Sequence, residues 1–216
     1  MISLFNKVKS IGFDLDNTLY PNNPEIDNRI RNKIAEYIFL QKPELGNIEN
    51  ARGFYNERYS EVASGVKILE EIGLKDAKRI MFNCLNRDVL DLISEDYKLV
   101  SIIKKINQNY NIFLITAGPK NSSIGKLKKI GINISIFSKC LFGEDLSSSK
   151  SDGHPFADFL KDSKFLPNEH IYVGDSRLSD IIPAKKAGMK TIAVGNIILE
   201  ADISIDKIYD IERLLL

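Results

Sequence analysis

I-G-F-D-L-D-N-T-L-Y, residues Ile11 to Tyr20, decides the reading of the fold. An apolar run enters two aspartates, Asp14 and Asp16, and the chain then turns through Asn17 and Thr18 into Pro21 and a pair of asparagines. That pattern predicts a buried strand delivering charge at its end. Residues two apart in a strand point to the same side, so a strand continuing through Asp16 would set both carboxylates over one site. Two adjacent carboxylates repel by about 4 kcal/mol at an effective dielectric of about 20. A divalent cation is the natural remedy. A solvated turn fits less well, because the pair abuts Ile11 and Phe13 and open α/β sheets place their sites at the loop ends of central strands. A calcium loop fails on geometry: the position that needs Gly for a sharp turn is Leu19, and Pro21 follows soon after.

Working outward, Asn23-Pro24-Glu25 reads as a helix start, with Asn as cap, Pro in the first turn and an acid beside it. Ile26, Ile30, Ile34 and Ile38 then form one apolar stripe, which predicts a helix to about Leu40. Pro43 and Gly46 break it. Further helices are expected over Ile48 to Tyr59, Glu61 to Ile72 and Asp76 to Asn86, with Gly73 stopping the third of these four. No strand-like alternation occurs between Pro24 and Glu95, so 23–95 is expected to be an all-helical insertion and 1–22 with 96–216 the core.

From Glu95 strands and helices alternate. Helical spacing over Tyr97 to Asn109 precedes a short apolar run, Ile112 to Ile115, that ends in T-A-G-P. A helix over Ser122 to Ile130, a short strand within Ile134 to Phe142 and a Ser-rich loop from Asp145 to Gly153 follow. After a helix beginning near Pro155, Ile171 to Val173 opens as a strand onto G-D-S-R-L-S-D. A helix ending near Gly188, a strand over Thr191 to Val194 and a closing helix over Ile208 to Leu216 complete the reading. This is the pattern of an α/β protein with a parallel sheet and helices on both faces.

A chain of 216 residues can hold such a core and an insertion. Apolar content of 44% and charged content of 27% are ordinary for a globular protein, and a formal net charge of +1 gives no footprint for nucleic acid. Cys84 and Cys140 lie far apart without metal-ligand spacing, so reduced thiols and a cytoplasmic address are expected. The opening M-I-S-L-F-N-K-V-K-S is too soon interrupted by charge for a signal peptide, and no apolar stretch has membrane-spanning length, so no membrane partner is expected.

Polar residues now stand at the ends of several predicted strands: Asp14 and Asp16, Thr116, Lys150, and Asp175 with Asp180. Parallel strands present their carboxyl ends along one edge, so these groups can converge. A carboxylate attacks an anionic phosphate only where the repulsion is neutralised. A metal held by Asp14 and Asp175, with the Lys150 ammonium, would supply that charge. Thr116 and the N–H groups around Ala117 and Gly118 would hold phosphate oxygens, leaving Asp16 to protonate the leaving oxygen. His170, just before a strand, and His154, at a helix start, read as structural. Gly118-Pro119-Lys120 lacks the spacing of a phosphate-binding P-loop.

F-D-L-D-N-T-L-Y, Thr116 in L-I-T-A-G, Lys150 with Phe156 beyond it, and V-G-D-S-R-L-S-D-I-I-P-A-K-K-A-G-M resemble the four motifs of the haloacid dehalogenase superfamily, in its order. The resemblance implies a Rossmann-like core with a helical cap inserted after the first strand, and a Mg²⁺-dependent phosphatase acting on a small phosphomonoester. It implies Asp14 as the nucleophile that becomes an aspartyl phosphate and Asp16 as acid/base, its backbone carbonyl also ligating Mg²⁺. Asp175 becomes a second side-chain ligand, Thr116, Ala117 and Lys150 the phosphate binders, and Asp180 a supporting carboxylate. Ala117 and Ser151 depart from the family's usual Asn and Pro. L-Y-P and the helical insertion also resemble the pyrimidine nucleotidase-like branch, with Arg52, Tyr59 and Ser64 as candidate pocket residues. A phosphomutase of the same superfamily and a non-enzymatic phospho-aspartate switch are the alternatives. A dehalogenase is disfavoured, since it needs no acid at Asp16. The motif order and the large insertion tell against a receiver-type switch.

Overall fold

The computed structural model describes residues 5–86 and 89–215. The first four residues, Arg87, Asp88 and Leu216 lie outside the described residues, and with them the start of the opening segment, part of the helical stretch and the end of the expected closing helix. The chain divides into two compact units, Met1–Asn22 with Ile93–Leu216, and Asn23–Leu92.

The larger unit is built on a six-stranded sheet in the order β3-β2-β1-β4-β5-β6. Its strands are β1 (Ser10–Phe13), β2 (Asn111–Ile115), β3 (Lys139–Leu141), β4 (His170–Gly174), β5 (Lys190–Val194) and β6 (Ile203–Ile205), and every pairing is parallel. The chain winds outward from β1 through β2 to β3, then returns to the other side of β1 for β4 to β6. That reversal puts a crevice at the carboxyl ends of β1 and β4. In β1 all four residues are buried, as a central strand covered on both faces requires. Phe113 and Ile115, two apart on β2, share a buried cluster with Phe156, Phe159, Tyr172 and Met189. His170 belongs to this packing: it is 1% exposed, its Nε2 lies 2.9 Å from Ser163 Oγ, and its ring meets Phe113 and Phe159 edge-on.

The smaller unit holds α1 (Pro24–Gln41), α2 (Ile48–Val62), α3 (Gly65–Glu71) and α4 (Ala77–Leu85). Asn23 caps α1 by accepting from the Glu25 N–H at 3.0 Å, and Ile34 and Ile38 of the stripe are buried with Ile68, Leu69 and Cys84. The boundary expected between Tyr59 and Glu61 falls at Ala63 instead, so the helix expected over Glu61 to Ile72 begins only at Gly65. Ala63 takes a left-handed conformation (φ 47°), and Ser64 caps the new helix by accepting from the Lys67 N–H at 3.4 Å. A Ser with a hydroxyl to offer the first turn competes well as a helix start, which apolar spacing alone does not register. The other residues proposed for a pocket also have local partners. Arg52 bonds Asn32 and Asn28 at 2.9 and 2.5 Å, and the Arg31 guanidinium stands 5.3 Å from the Tyr59 ring centre.

In the core unit α5 (Tyr97–Asn109) buries Leu99, Ile102, Ile103 and Ile106, matching its spacing, and α6 (Lys120–Ile130) and α7 (His154–Lys161) follow as expected. Strand β6 went unread because three residues at a sheet edge carry no usable periodicity. The closing segment is a 3-10 turn, Ile208–Ile211, before a short helix, Glu212–Leu215. Among the described residues no helix is long and apolar enough to cross a membrane.

Candidate active site

Strand β1 stops at Phe13, and Asp14 is held at its end by donating its backbone N–H to Val173 O of β4 at 2.9 Å. The chain then turns, so the Asp14 and Asp16 carboxylates do not line one side of a continued strand. Each has its own lysine. Asp14, 6% exposed, accepts from Lys150 Nζ at 2.6 Å, whereas Asp16 accepts from Lys126 Nζ at 2.5 Å and from the Tyr20 hydroxyl. Lysines on different segments thus offset the repulsion between neighbouring acids.

Lys150 arrives on a single 3-10 turn, Lys150–Asp152, closed by Gly153 in a left-handed conformation (φ 82°). It is 3% exposed and also donates to Ile115 O at 3.3 Å, across the end of β2. Asp180 Oδ1 lies 2.5 Å from its Nζ, an ion-pair distance without hydrogen-bond alignment, while Asp180 Oδ2 accepts from the Ser176 N–H at 3.0 Å. Lys139 and Lys161, the neighbouring lysines of that region, pair instead with Asp162 and Asp158.

Asp175 follows β4 directly, and a π-helical turn, Arg177–Ile181, leads into α8 (Ile182–Lys186). The wide turn is closed by Ile181 N–H to Ser176 O at 3.1 Å and sits just ahead of Pro183, which has no N–H to give. It seats Asp180 against Gly174, where a methyl group would lie only 2.5 Å from the Asp180 Cβ and Cγ. Glycine is the residue that lets the turn come so close. Oxygens of Asp14, Asp175 and Asp180 consequently lie within 4.8 Å of one another. Thr116 is fully buried at the end of β2, its backbone N–H bonded to Leu141 O at 3.0 Å. The Gly118 N–H, expected to face phosphate, donates to Thr116 Oγ1 at 3.2 Å, and Ala117 is exposed.

The electrostatics follow from the crowding. Burial pushes Asp14 up from 3.8 to about 7; Lys150 opposes the rise, and the charges of Asp180 and Asp16 add to it. Burial, with Asp180 and Asp14, pushes Asp175 to about 8. Burial alone would lower Lys150, but Asp14 and Asp180 hold it well above the ordinary lysine value. Burial would raise Asp16, yet the Lys126 ammonium and the hydrogen bonds from Lys126 and Tyr20 keep it below the ordinary carboxylate range. The cluster of three carboxylates around one ammonium fits a small divalent cation: the donors are hard oxygens, and one dication would neutralise the excess negative charge.

The haloacid dehalogenase-like hydrolase family matches residues 11–194. The chain belongs to that family. Within it, the chain is similar to a phosphoglycolate phosphatase of Haemophilus influenzae, 28% identical over 86% of this chain and 85% of that protein. It is also similar to a glyceraldehyde 3-phosphate phosphatase of Methanopyrus kandleri, 22% identical over 87% of this chain and 84% of that one. Its fold is that of CbbY from Rhodobacter sphaeroides, solved in complex with phosphate, at a TM-score of 0.68 and 16% identity, over 94% of this chain and 96% of that one. For this hydrolase the contacts of Asp16 that the sequence reading did not assign to the site are Lys126 and Tyr20. A signal for Lys126 was present: Ser123, Lys126, Leu127 and Ile130 fall on one face of α6 and all are buried, so a lysine occupies a core-facing position.

Proposed function

We propose that the chain is a phosphatase that hydrolyses a small phosphomonoester through an aspartyl phosphate on Asp14. The observation that carries this reading is the buried Asp14 at the end of the central strand, gathered with Asp175, Asp180 and Lys150. Relatives named as phosphoglycolate and glyceraldehyde 3-phosphate phosphatases support it. Asp14, Asp175 and the Asp16 backbone carbonyl would hold Mg²⁺, with Asp180 beside them. Bound there, the ion would offset phosphate charge and keep Asp14 ionised.

In the first step an Asp14 oxygen bonds to phosphorus as the ester P–O bond breaks, and the leaving oxygen takes a proton from Asp16. Water then attacks the aspartyl phosphate, gives its proton to Asp16, and frees phosphate and Asp14. Lys150 and Thr116 hold phosphate oxygens. Asp16 rests ionised, which suits the second step. A phosphate dianion beside it raises its proton affinity, which suits the first. The 23–95 segment acts as the cap that selects the substrate.

The deciding experiment is a phosphate-release assay on a panel of phosphomonoesters, with phosphoglycolate, glyceraldehyde 3-phosphate and pyrimidine nucleotides first, each with and without chelator. Turnover that chelator abolishes and Mg²⁺ restores is expected. Metal-independent turnover, or none by the folded protein, rejects the reading.

A second measurement does not depend on substrate. Asp14 and Asp175 titrate higher in the folded chain than at their ordinary value of 3.8. The folded state therefore binds more protons than the unfolded one between that value and about 7 to 8, and stability contributed by this pair falls as pH rises through the window. Mg²⁺ competes with those protons. It should raise the melting temperature more at about pH 8.5 than at about pH 6. An equal shift at both values would place the ion elsewhere.

A further inference from the structure

An ammonium withdrawn from water costs several kcal/mol unless a partner compensates it, so a buried lysine needs explaining. Lys126 is 2% exposed on the packed face of α6. Its Nζ donates to Asp16 Oδ1 at 2.5 Å and lies 5.9 Å from the Tyr20 ring centre. The Tyr20 hydroxyl donates to the same Oδ1. The two oxygens of a carboxylate exchange by rotation about a broad, two-fold terminal torsion. Here two donors on one oxygen make them unequal.

The other oxygen faces the loop after β2. A methyl group on Gly118 would sit 3.6 Å from Asp16 Oδ2, 3.5 Å from Thr116 Oγ1 and 3.0 Å from Ser123 Oγ. Oδ2 thus shares its side of Gly118 with the hydroxyl of Thr116, where the bare Gly118 adds no side chain. Ser123 Oγ is buried there without a protein partner among the described residues.

We infer that Lys126, with Tyr20, is a positioning residue for proton transfer: the two hold Asp16 by Oδ1 and so present Oδ2 as the atom that gives a proton to the leaving oxygen and takes one from the attacking water. The inference rests on the phosphatase reading above. It gives α6 a role beyond covering the sheet, because the helix brings the lysine that orients the acid.

The test compares wild type, Lys126→Met, Tyr20→Phe, Asp16→Asn and the pair Asp16→Asn/Lys126→Met. Substrates are an alkyl phosphate and an aryl phosphate with a good leaving group, and a thermal melt accompanies each variant. Lys126→Met should lower kcat on the alkyl phosphate by roughly 10- to 100-fold with KM little changed, the scale expected for a reacting group displaced by about an ångström. The aryl phosphate needs less protonation and should lose less, as it should in Asp16→Asn. In the Asp16→Asn background, where the aryl phosphate still turns over, Lys126→Met should cost nothing further. A salt bridge that serves only the fold would lower both substrates alike, and in both backgrounds. That result, or wild-type turnover by Lys126→Met, overturns the inference. If Lys126→Met does not fold, Tyr20→Phe is compared in the same two backgrounds: loss confined to intact Asp16 supports the inference, and loss in both or neither overturns it. A folded wild type without phosphatase turnover removes the phosphatase reading and this inference together, whereas an active wild type indifferent to Lys126 removes only the inference.

Discussion

Asp14→Asn should lose turnover by roughly 10⁴-fold or more on every phosphomonoester, alkyl or aryl, and should form no acyl phosphate in a rapid acid quench. An amide has no charge to bring to phosphorus. The variant also separates chemistry from folding. Ionising Asp14 costs the folded state, since burial and the Asp180 and Asp16 charges outweigh Lys150 and push it up to about 7. A neutral amide escapes that cost, and Lys150 keeps Asp180 as its ion partner at 2.5 Å. Metal-free Asp14→Asn should therefore melt no lower than wild type at about pH 8, and Mg²⁺ should stabilise it less. Full loss of activity in a protein that melts normally is the signature of a nucleophile. Residual turnover above a hundredth of wild type, roughly, would place the nucleophile elsewhere.

Which features were legible in the chain follows from how local their causes are. The strand into Asp14, the capped start of α1 and the four buried positions of α5 rest on neighbours within a few residues, and the structure has them where the spacing puts them. The parallel order of the sheet was legible because strand and helix alternate from residue 95 onward. The place of the break between α2 and α3 was not, since it depends on Ser64 winning a cap against a continuing apolar stripe. At the site, Asp14, Asp16 and Lys150 announced themselves by their motifs, but Lys126 and the pairing of each acid with its own lysine did not. Lys150 and Lys126 meet them across 136 and 110 residues of sequence. A lysine on a core-facing position of α6 looks like an interruption of the pattern until the carboxylate it serves is in view.

Lys150→Met should be the most disruptive single change to the core unit. The thioether chain keeps the bulk that packs 5.5 Å from the Tyr172 ring centre, and removes only the charge. Asp14 and Asp180 then face each other, and Asp175, with no ammonium among them. Breaking a buried pair by removing one partner costs about 3–5 kcal/mol near neutral pH. The sign of the pH dependence is fixed by the same groups. Asp14 and Asp175 already titrate near 7 and 8 with Lys150 opposing the rise, so without it both protonate at higher pH still. The penalty should be largest above about pH 8, where the carboxylates are ionised, and should shrink towards about pH 5, where protons replace the lost charge. Mg²⁺ should restore part of the stability but little of the activity, because the cation cannot stand in for an ammonium whose proposed role is to meet a phosphate oxygen. Catalysis should fall by roughly 10²- to 10³-fold in kcat/KM. Lys139→Met and Lys161→Met are the controls: those lysines pair with Asp162 and Asp158 away from Asp14, and should change neither quantity appreciably. A Lys150→Met enzyme that melts and turns over like these controls would show that Asp14 is balanced by some other charge.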